Sequence, residues 1–166
     1  AAGGLNITLK TLLDSGDEVI IFTPYFVEYL FYADNHGGKA VAVPTLQDFH
    51  LDFNALKSAL NEKTKAVIIN SPNNPTGVVY SSNELQELAD ILKTHSEKIN
   101  KAVFLISDDP YKKITFDGVE APNIMGFYSN SIYITSHSKD IALPGERNGF
   151  VAVQSKCESA GLLMAG

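Results

Sequence analysis

The chain has 166 residues, of which 45% are hydrophobic and 19% are charged, and its formal net charge is −6. This length suits one domain with a sizeable core, and the composition is that of an ordinary globular protein. The negative net charge argues against a surface for nucleic acid or anionic lipid, although it leaves room for a local basic pocket that binds one phosphate. No apolar stretch approaches the ~20 residues that span a bilayer. We therefore expect neither a nucleic-acid partner nor a membrane partner.

The single cysteine, Cys157, excludes an internal disulfide and favours a reducing, cytoplasmic location. No signal peptide is visible at the amino terminus. The chain opens on Ala1 and Ala2 without an initiator methionine, and it closes on an apolar, helix-like pattern over residues 162–166. We expect an internal piece of a longer protein that forms one domain over residues 1–166.

Helical and strand patterns alternate along the chain. Leucines recur at helical spacing in several segments, and apolar runs of about four residues between turn formers are typical of strands buried on both faces. In chain order, the predicted elements are a helix with Leu5 to Leu13, a strand over 19–22, a helix over 25–34, a strand over 40–43, a helix over 53–60, a strand over 66–69, a helix over 82–98 capped by Ser82, and strands over 103–106, 132–135 and 150–153. This alternation predicts an α/β fold, a three-layer α/β/α sandwich with a mainly parallel sheet.

Polar residues follow these strands directly. They are Asn74, Asp108, Tyr111, Ser136 and Lys139. In parallel sheets, binding sites lie just beyond the carboxyl ends of the strands, so these residues are candidates for one site. Each of them alone is weak evidence, because an Asn-Pro-Thr-Gly stretch is most often a tight turn and a lysine after a strand is usually solvated.

Four short stretches, in this order and spacing, resemble the class I and II aminotransferases. They are SPNNPTG at 71–77, SDDPY at 107–111, SHSK at 136–139 and PGER at 144–147. The resemblance covers essentially the whole chain and implies the large domain of a pyridoxal-phosphate (PLP) enzyme of fold type I, similar to aspartate aminotransferase. In such enzymes PLP is the electron sink, and the protein holds the cofactor, orients it and tunes its ring.

The resemblance implies a role for each matching residue. Lys139 carries PLP as a Schiff base, the internal aldimine, and then moves the proton from the substrate Cα. Asp108 keeps the pyridine nitrogen protonated. Tyr111 and Asn74 hydrogen-bond the 3-oxygen of the ring. Lys139, Asp108 and Tyr111 are therefore the expected catalytic residues.

Other matching residues are implied to bind the cofactor. The Arg147 guanidinium and the Ser136 hydroxyl match phosphate ligands, and Ser138 is a further candidate. Ala1 and Ala2 stand where backbone amides at a helix amino terminus complete the phosphate site.

Three smaller expectations complete the site. Phe26 matches the aromatic residue that stacks on the pyridine ring, with a core aromatic as the alternative. The resemblance also implies that the Asn74–Pro75 peptide is cis, a minority state of X-Pro bonds. We expect no metal site, because His137 has no companion ligands nearby in the sequence.

The activity implied by the resemblance is transamination between an amino acid and a 2-oxo acid, by a protein that forms a homodimer. The same residues also fit a β-lyase, a decarboxylase or a cyclopropane-forming synthase, because fold does not fix chemistry. A third reading is a non-catalytic, PLP-sensing regulatory domain. The family's small domain and its substrate-carboxylate arginine are expected outside this piece, so the isolated piece is expected to be inactive. The sequence does not identify the amino-acid substrate.

Overall fold

A computed structural model describes residues 1–165 and gives six helices and six strands in that range. The helices are α1 (Ala2–Leu12), α2 (Glu28–Asp34), α3 (Phe53–Ala59), α4 (Ser82–Ile99), α5 (His137–Asp140) and α6 (Ala160–Ala165). The strands are β1 (Glu18–Thr23), β2 (Lys39–Pro44), β3 (Thr64–Asn70), β4 (Phe104–Asp108), β5 (Ser131–Ser136) and β6 (Gly149–Val153). Gly166, the last residue of the predicted terminal pattern, lies outside the described residues. Among residues 1–165, no helix combines the length and the apolar character that crossing a bilayer requires.

The strands form one sheet in the order β2-β1-β3-β4-β5-β6. Strands β1 to β5 pair in parallel, and β6 pairs antiparallel with β5. The strand order changes direction between β1 and β3, which is the position where open α/β sheets bind ligands beyond their strand ends. The prediction of a mainly parallel sheet is confirmed.

Alternating side chains of each strand pack on opposite faces of the sheet, as the two-residue period requires. Ile21, Ile68 and Ile106 belong to a hydrophobic cluster with α1 and α2. Ile20 and Val67 point to the other face, where they belong to a second cluster with α3 and α4. The three-layer α/β/α arrangement that the sequence predicts is therefore present.

The helix predicted over 25–34 begins later than expected, at Glu28. Strand β1 ends at Thr23, and Pro24 has no amide hydrogen and favours an extended residue before it. Residues 24–27 form an irregular connection between β1 and α2. Phe26 lies in this connection and not on a helix.

The amino-terminal cap of α4 is Ser81 and not Ser82, so the predicted cap was wrong by one residue. Ser81 Oγ accepts a hydrogen bond from the Glu84 amide at 3.2 Å, and Glu84 Oε2 accepts one from the Ser81 amide at 2.9 Å. This reciprocal pair is a capping box, which requires a Glu three residues after the capping Ser. That spacing fits Ser81 and does not fit Ser82.

Replacement of Ser81 by Ala should lower the free energy of unfolding by about 1 kcal/mol, because the substitution leaves a helical amide without its acceptor. Ser82→Ala is the matched control, and it should change stability by no more than about 0.5 kcal/mol. Urea denaturation followed by circular dichroism measures both. Equal losses in the two variants would contradict the assignment of the cap.

Candidate active site

One cavity beyond the carboxyl ends of the strands gathers every candidate site residue from the sequence. Its volume is about 290 Å³. The candidates that line it are Ala1, Ala2, Phe26, Asn74, Asp108, Tyr111, Ser136, Ser138, Lys139 and Arg147. Tyr29 and Asn70 also line the cavity, and the sequence analysis did not select them.

Strand order brings these side chains together. Asp108 is the last residue of β4, and Ser136 is the last residue of the neighbouring strand β5. Lys139 follows directly in the short helix α5. Because β4 and β5 run in parallel, their final residues reach the same edge of the sheet.

Asp108 is buried at this edge, with 6% of its surface exposed. Its Oδ2 accepts a hydrogen bond from the Tyr29 hydroxyl at 2.6 Å, whereas Oδ1 is buried without a donor among residues 1–165. Burial raises the pKa of Asp108, and the hydrogen bond from Tyr29 opposes that rise. Burial and the charge of Asp108 raise the pKa of Tyr29 well above its ordinary value, so this phenol stays protonated and remains a donor.

Asn70 joins the loop after β3 to the end of β4. Its Nδ2 donates to the Asp108 carbonyl oxygen at 2.7 Å, and its Oδ1 accepts from the Asn74 amide at 2.5 Å. The Asn74 backbone is therefore fixed relative to Asp108. The Asn74–Pro75 peptide is cis, which confirms that prediction.

Tyr111 and Phe26 provide the aromatic part of the lining. Burial and the nearby charge of Asp108 raise the pKa of Tyr111, and hydrogen bonding to Asn74 opposes this, so its hydroxyl is protonated at neutral pH. Phe26 packs edge-on against Tyr29, with ring centroids 5.8 Å apart and an interplanar angle of 81°.

Two exposed cations, Lys139 and Arg147, complete the charged lining of the cavity. Arg147 Nη1 donates to the Pro144 carbonyl oxygen at 2.7 Å. The Arg147 backbone is in the left-handed region, with φ at 52°, which is uncommon for a residue other than glycine. This conformation ends the turn at Pro144–Glu146 just before β6 begins.

The residues present fit a PLP cofactor. A buried carboxylate oxygen without a donor is unfavourable, and a protonated ring nitrogen beside Asp108 Oδ1 would supply the missing hydrogen bond. The Arg147 guanidinium, the Ser136 hydroxyl and the amino terminus of the 11-residue helix α1 offer donors for a phosphate.

The chain matches the family model for aminotransferases of class I and II over residues 1–165. It belongs to that family, whose enzymes use pyridoxal 5′-phosphate. It is 40% identical over 152 residues to an aspartate aminotransferase from Pyrococcus abyssi, an alignment that covers 89% of this chain and 38% of that protein. It is also 37% identical over 149 residues to an aromatic-amino-acid aminotransferase from Thermococcus litoralis, which covers 87% of this chain and 37% of that protein.

A solved structure agrees with these sequence matches. The chain superposes on the crystal structure of an aminotransferase from Eubacterium rectale with a TM-score of 0.96 at 40% sequence identity. The superposition covers 99% of this chain and 42% of that one. The chain spans about 40% of the length of the relatives that it matches.

Sequence reasoning missed Tyr29 and Asn70 for different reasons. Tyr29 lies in a segment rich in Tyr and Phe, and nothing in the sequence distinguishes it from Tyr25 or Tyr32. Asn70 directly follows the apolar run predicted over 66–69, and its place at the end of that strand is a signal that could have identified it.

Replacement of Tyr29 by Phe should raise the pKa of Asp108 further, because the variant removes the donor to Oδ2. It should also lower the free energy of unfolding by about 1–3 kcal/mol, since an ionisable buried group loses its partner. Carbon NMR titration of the Asp108 carboxyl and urea denaturation measure the two effects. Tyr32→Phe is the matched control, because the Tyr32 hydroxyl donates to Glu28 and not to Asp108. This substitution should leave the pKa of Asp108 unchanged. Similar pKa changes in both variants would contradict the role of Tyr29.

Proposed function

We propose that this chain is the cofactor-binding part of an aminotransferase, which moves an amino group from an amino acid to a 2-oxo acid with PLP bound at Lys139. The observation that carries the proposal is the convergence of the candidate residues on one cavity in the family fold. The names of the relatives, which specify aspartate and aromatic amino acids, support amino acids as substrates. We extend the proposal to a homodimer, as the resemblance implies, and to a cytoplasmic location, with which the single cysteine is compatible.

Each of these lining residues is assigned a different group of the cofactor. Lys139 Nζ would hold the cofactor at its aldehyde carbon, with loss of water, and Asp108 Oδ1 would accept the hydrogen bond of the ring nitrogen. Arg147 and Ser136 bind the phosphate, and their charge-assisted and hydroxyl donors suit its oxygens. Phe26 packs against the ring.

Bound PLP supplies a ring that withdraws electrons from the substrate Cα and so makes its proton removable. Asp108 supports this by holding a proton at the ring nitrogen, and its burial strengthens the attraction because the local dielectric is low. Tyr111 donates a hydrogen bond to the ring oxygen, since its raised pKa keeps the hydroxyl protonated. Once the substrate amine has displaced it from the cofactor, the free Lys139 Nζ would be the base that moves the proton at Cα.

The attachment of the cofactor to Lys139 can be tested by reduction with borohydride and peptide mapping. PLP added to the protein should be fixed on Lys139, and Lys139→Ala should lose the label. Lys156→Ala, at an exposed lysine, is the control and should keep it. Labelling mainly at another lysine would overturn the proposed function.

Replacement of Asp108 by Ala should leave PLP attached to Lys139 but release the proton from the ring nitrogen. Nitrogen NMR with labelled PLP reports that proton directly. In the holoenzyme, removal of the substrate Cα proton should slow by orders of magnitude. A change near tenfold, which is only ~1.4 kcal/mol, would show that Asp108 has a structural role alone.

A further inference from the structure

Asp140 lies where two segments of the candidate site meet. It directly follows Lys139 in α5, and its Oδ2 is 3.1 Å from Lys113 Nζ in the segment after β4. The same carboxylate is 3.2 Å from His137 Nδ1 at the start of α5. The Asp140 side chain is only 9% exposed, whereas that of Lys113 is 69% exposed. The carboxylate is therefore the less exposed partner of this ion pair.

Contacts on both sides of Tyr111 join its segment to the β5–α5 region. Before Tyr111, the Asp109 amide donates to Ile134 O at 2.8 Å, and the Asp109 carbonyl accepts from Thr135 Oγ1 at 2.8 Å. After Tyr111, Lys113 forms an ion pair with Asp140. Beyond it, the backbone bonds from Ile114 to Tyr111 and from Val119 to Phe116 are local turns.

Lys139 lies on a helical turn that needs outside support. Helix α5 has four residues and no side-chain cap hydrogen bond, and one isolated turn is unfavourable because its ordering cost exceeds its few hydrogen bonds. The contact between Asp140 and His137 joins the two ends of this turn. Backbone hydrogen bonds from His137 to Asn148 and from Leu143 to His137 also support it. Asp140 therefore contacts both the turn that carries Lys139 and, through Lys113, the segment that follows Tyr111.

We propose that Asp140 is a positioning residue that fixes the spacing between the Lys139 amine and the Tyr111 hydroxyl through its contacts with Lys113 and His137. The inference rests on the proposed function, since the spacing matters only if both groups contact one cofactor. Asp140 itself touches neither the cofactor nor the reacting atoms. It acts through helix α5 and the segment after β4, which it joins.

The charges of the cluster agree with this role. Desolvation raises the pKa of Asp140, but hydrogen bonds from Lys113 and His137 outweigh it and bring the pKa below its ordinary value. The carboxylate is thus ionised at neutral pH and keeps both contacts. Because Lys113 is exposed, the pair is partly screened, and we expect effects of about two- to fivefold.

The first test uses the chain without cofactor. Hydrogen–deuterium exchange should rise about two- to fivefold in segments 110–114 and 137–143 when Asp140 is replaced by Asn or Lys113 by Gln, and the double variant should add little. Lys156→Gln is the control, because Lys156 is an exposed lysine outside this cluster. The charge-reversed pair, Lys113→Asp with Asp140→Lys, should restore protection in segment 110–114 but not in 137–143, because it removes the carboxylate that contacts His137. Unchanged exchange in Asp140→Asn would overturn the inference.

The second test adds PLP and separates positioning from stability. Asp140→Asn should weaken PLP binding and shift the pH midpoint of the absorbance of the Lys139 adduct, and Asp140→Glu should recover part of both. A lower melting temperature with an unshifted midpoint would reduce Asp140 to a structural residue and overturn the inference. If the unmodified protein forms no adduct at Lys139, the proposed function fails and the inference fails with it. That holds even if the exchange data show that Asp140 joins segments 110–114 and 137–143.

Discussion

Asp108 ends a central strand with one carboxylate oxygen held by the Tyr29 hydroxyl at 2.6 Å and the other buried without a donor among the described residues. Removing a carboxylate from water costs several kcal/mol unless partners compensate for it. The surrounding structure provides only part of that compensation. Tyr29 is brought to Asp108 by α2, and Asn70 fixes the backbone of Asp108 from β3. The arrangement leaves Oδ1 without a donor among the described residues, beside a cavity that Asp108 lines.

The sequence predicts the sheet and its layers well, because short apolar runs and helical spacing determine which surfaces must be buried. It also predicts the lining residues that follow strands, since parallel strands bring their ends to one edge. What it does not predict are contacts between distant segments. The pairing of Tyr29 with Asp108 joins residues 79 positions apart. Only the packing of α2 against the sheet decides which tyrosine makes it.

The predicted cap of α4 and the predicted start of α2 were wrong, by one and three residues respectively. The cap of α4 depends on a reciprocal contact with Glu84, so the choice between two adjacent serines is made by the position of a side chain three residues later. Helix α2 starts at Glu28, so Phe26 lies in the connection after β1 and not on a helix. In both places the hydrophobic pattern locates the helix but does not fix its first residue.

The two hydrophobic clusters relate differently to the cavity. Leu5, Tyr29 and Tyr32 of the α1–α2 cluster also line the cavity, whereas among the described residues no member of the α3–α4 cluster does. Leu88 belongs to the α3–α4 cluster and does not line the cavity, so we expect changes there to alter stability more than the cavity. A substitution in the α3–α4 layer is therefore expected to act through the stability of the sheet. A substitution at Leu5, Tyr29 or Tyr32 is expected to change the shape of the cavity as well.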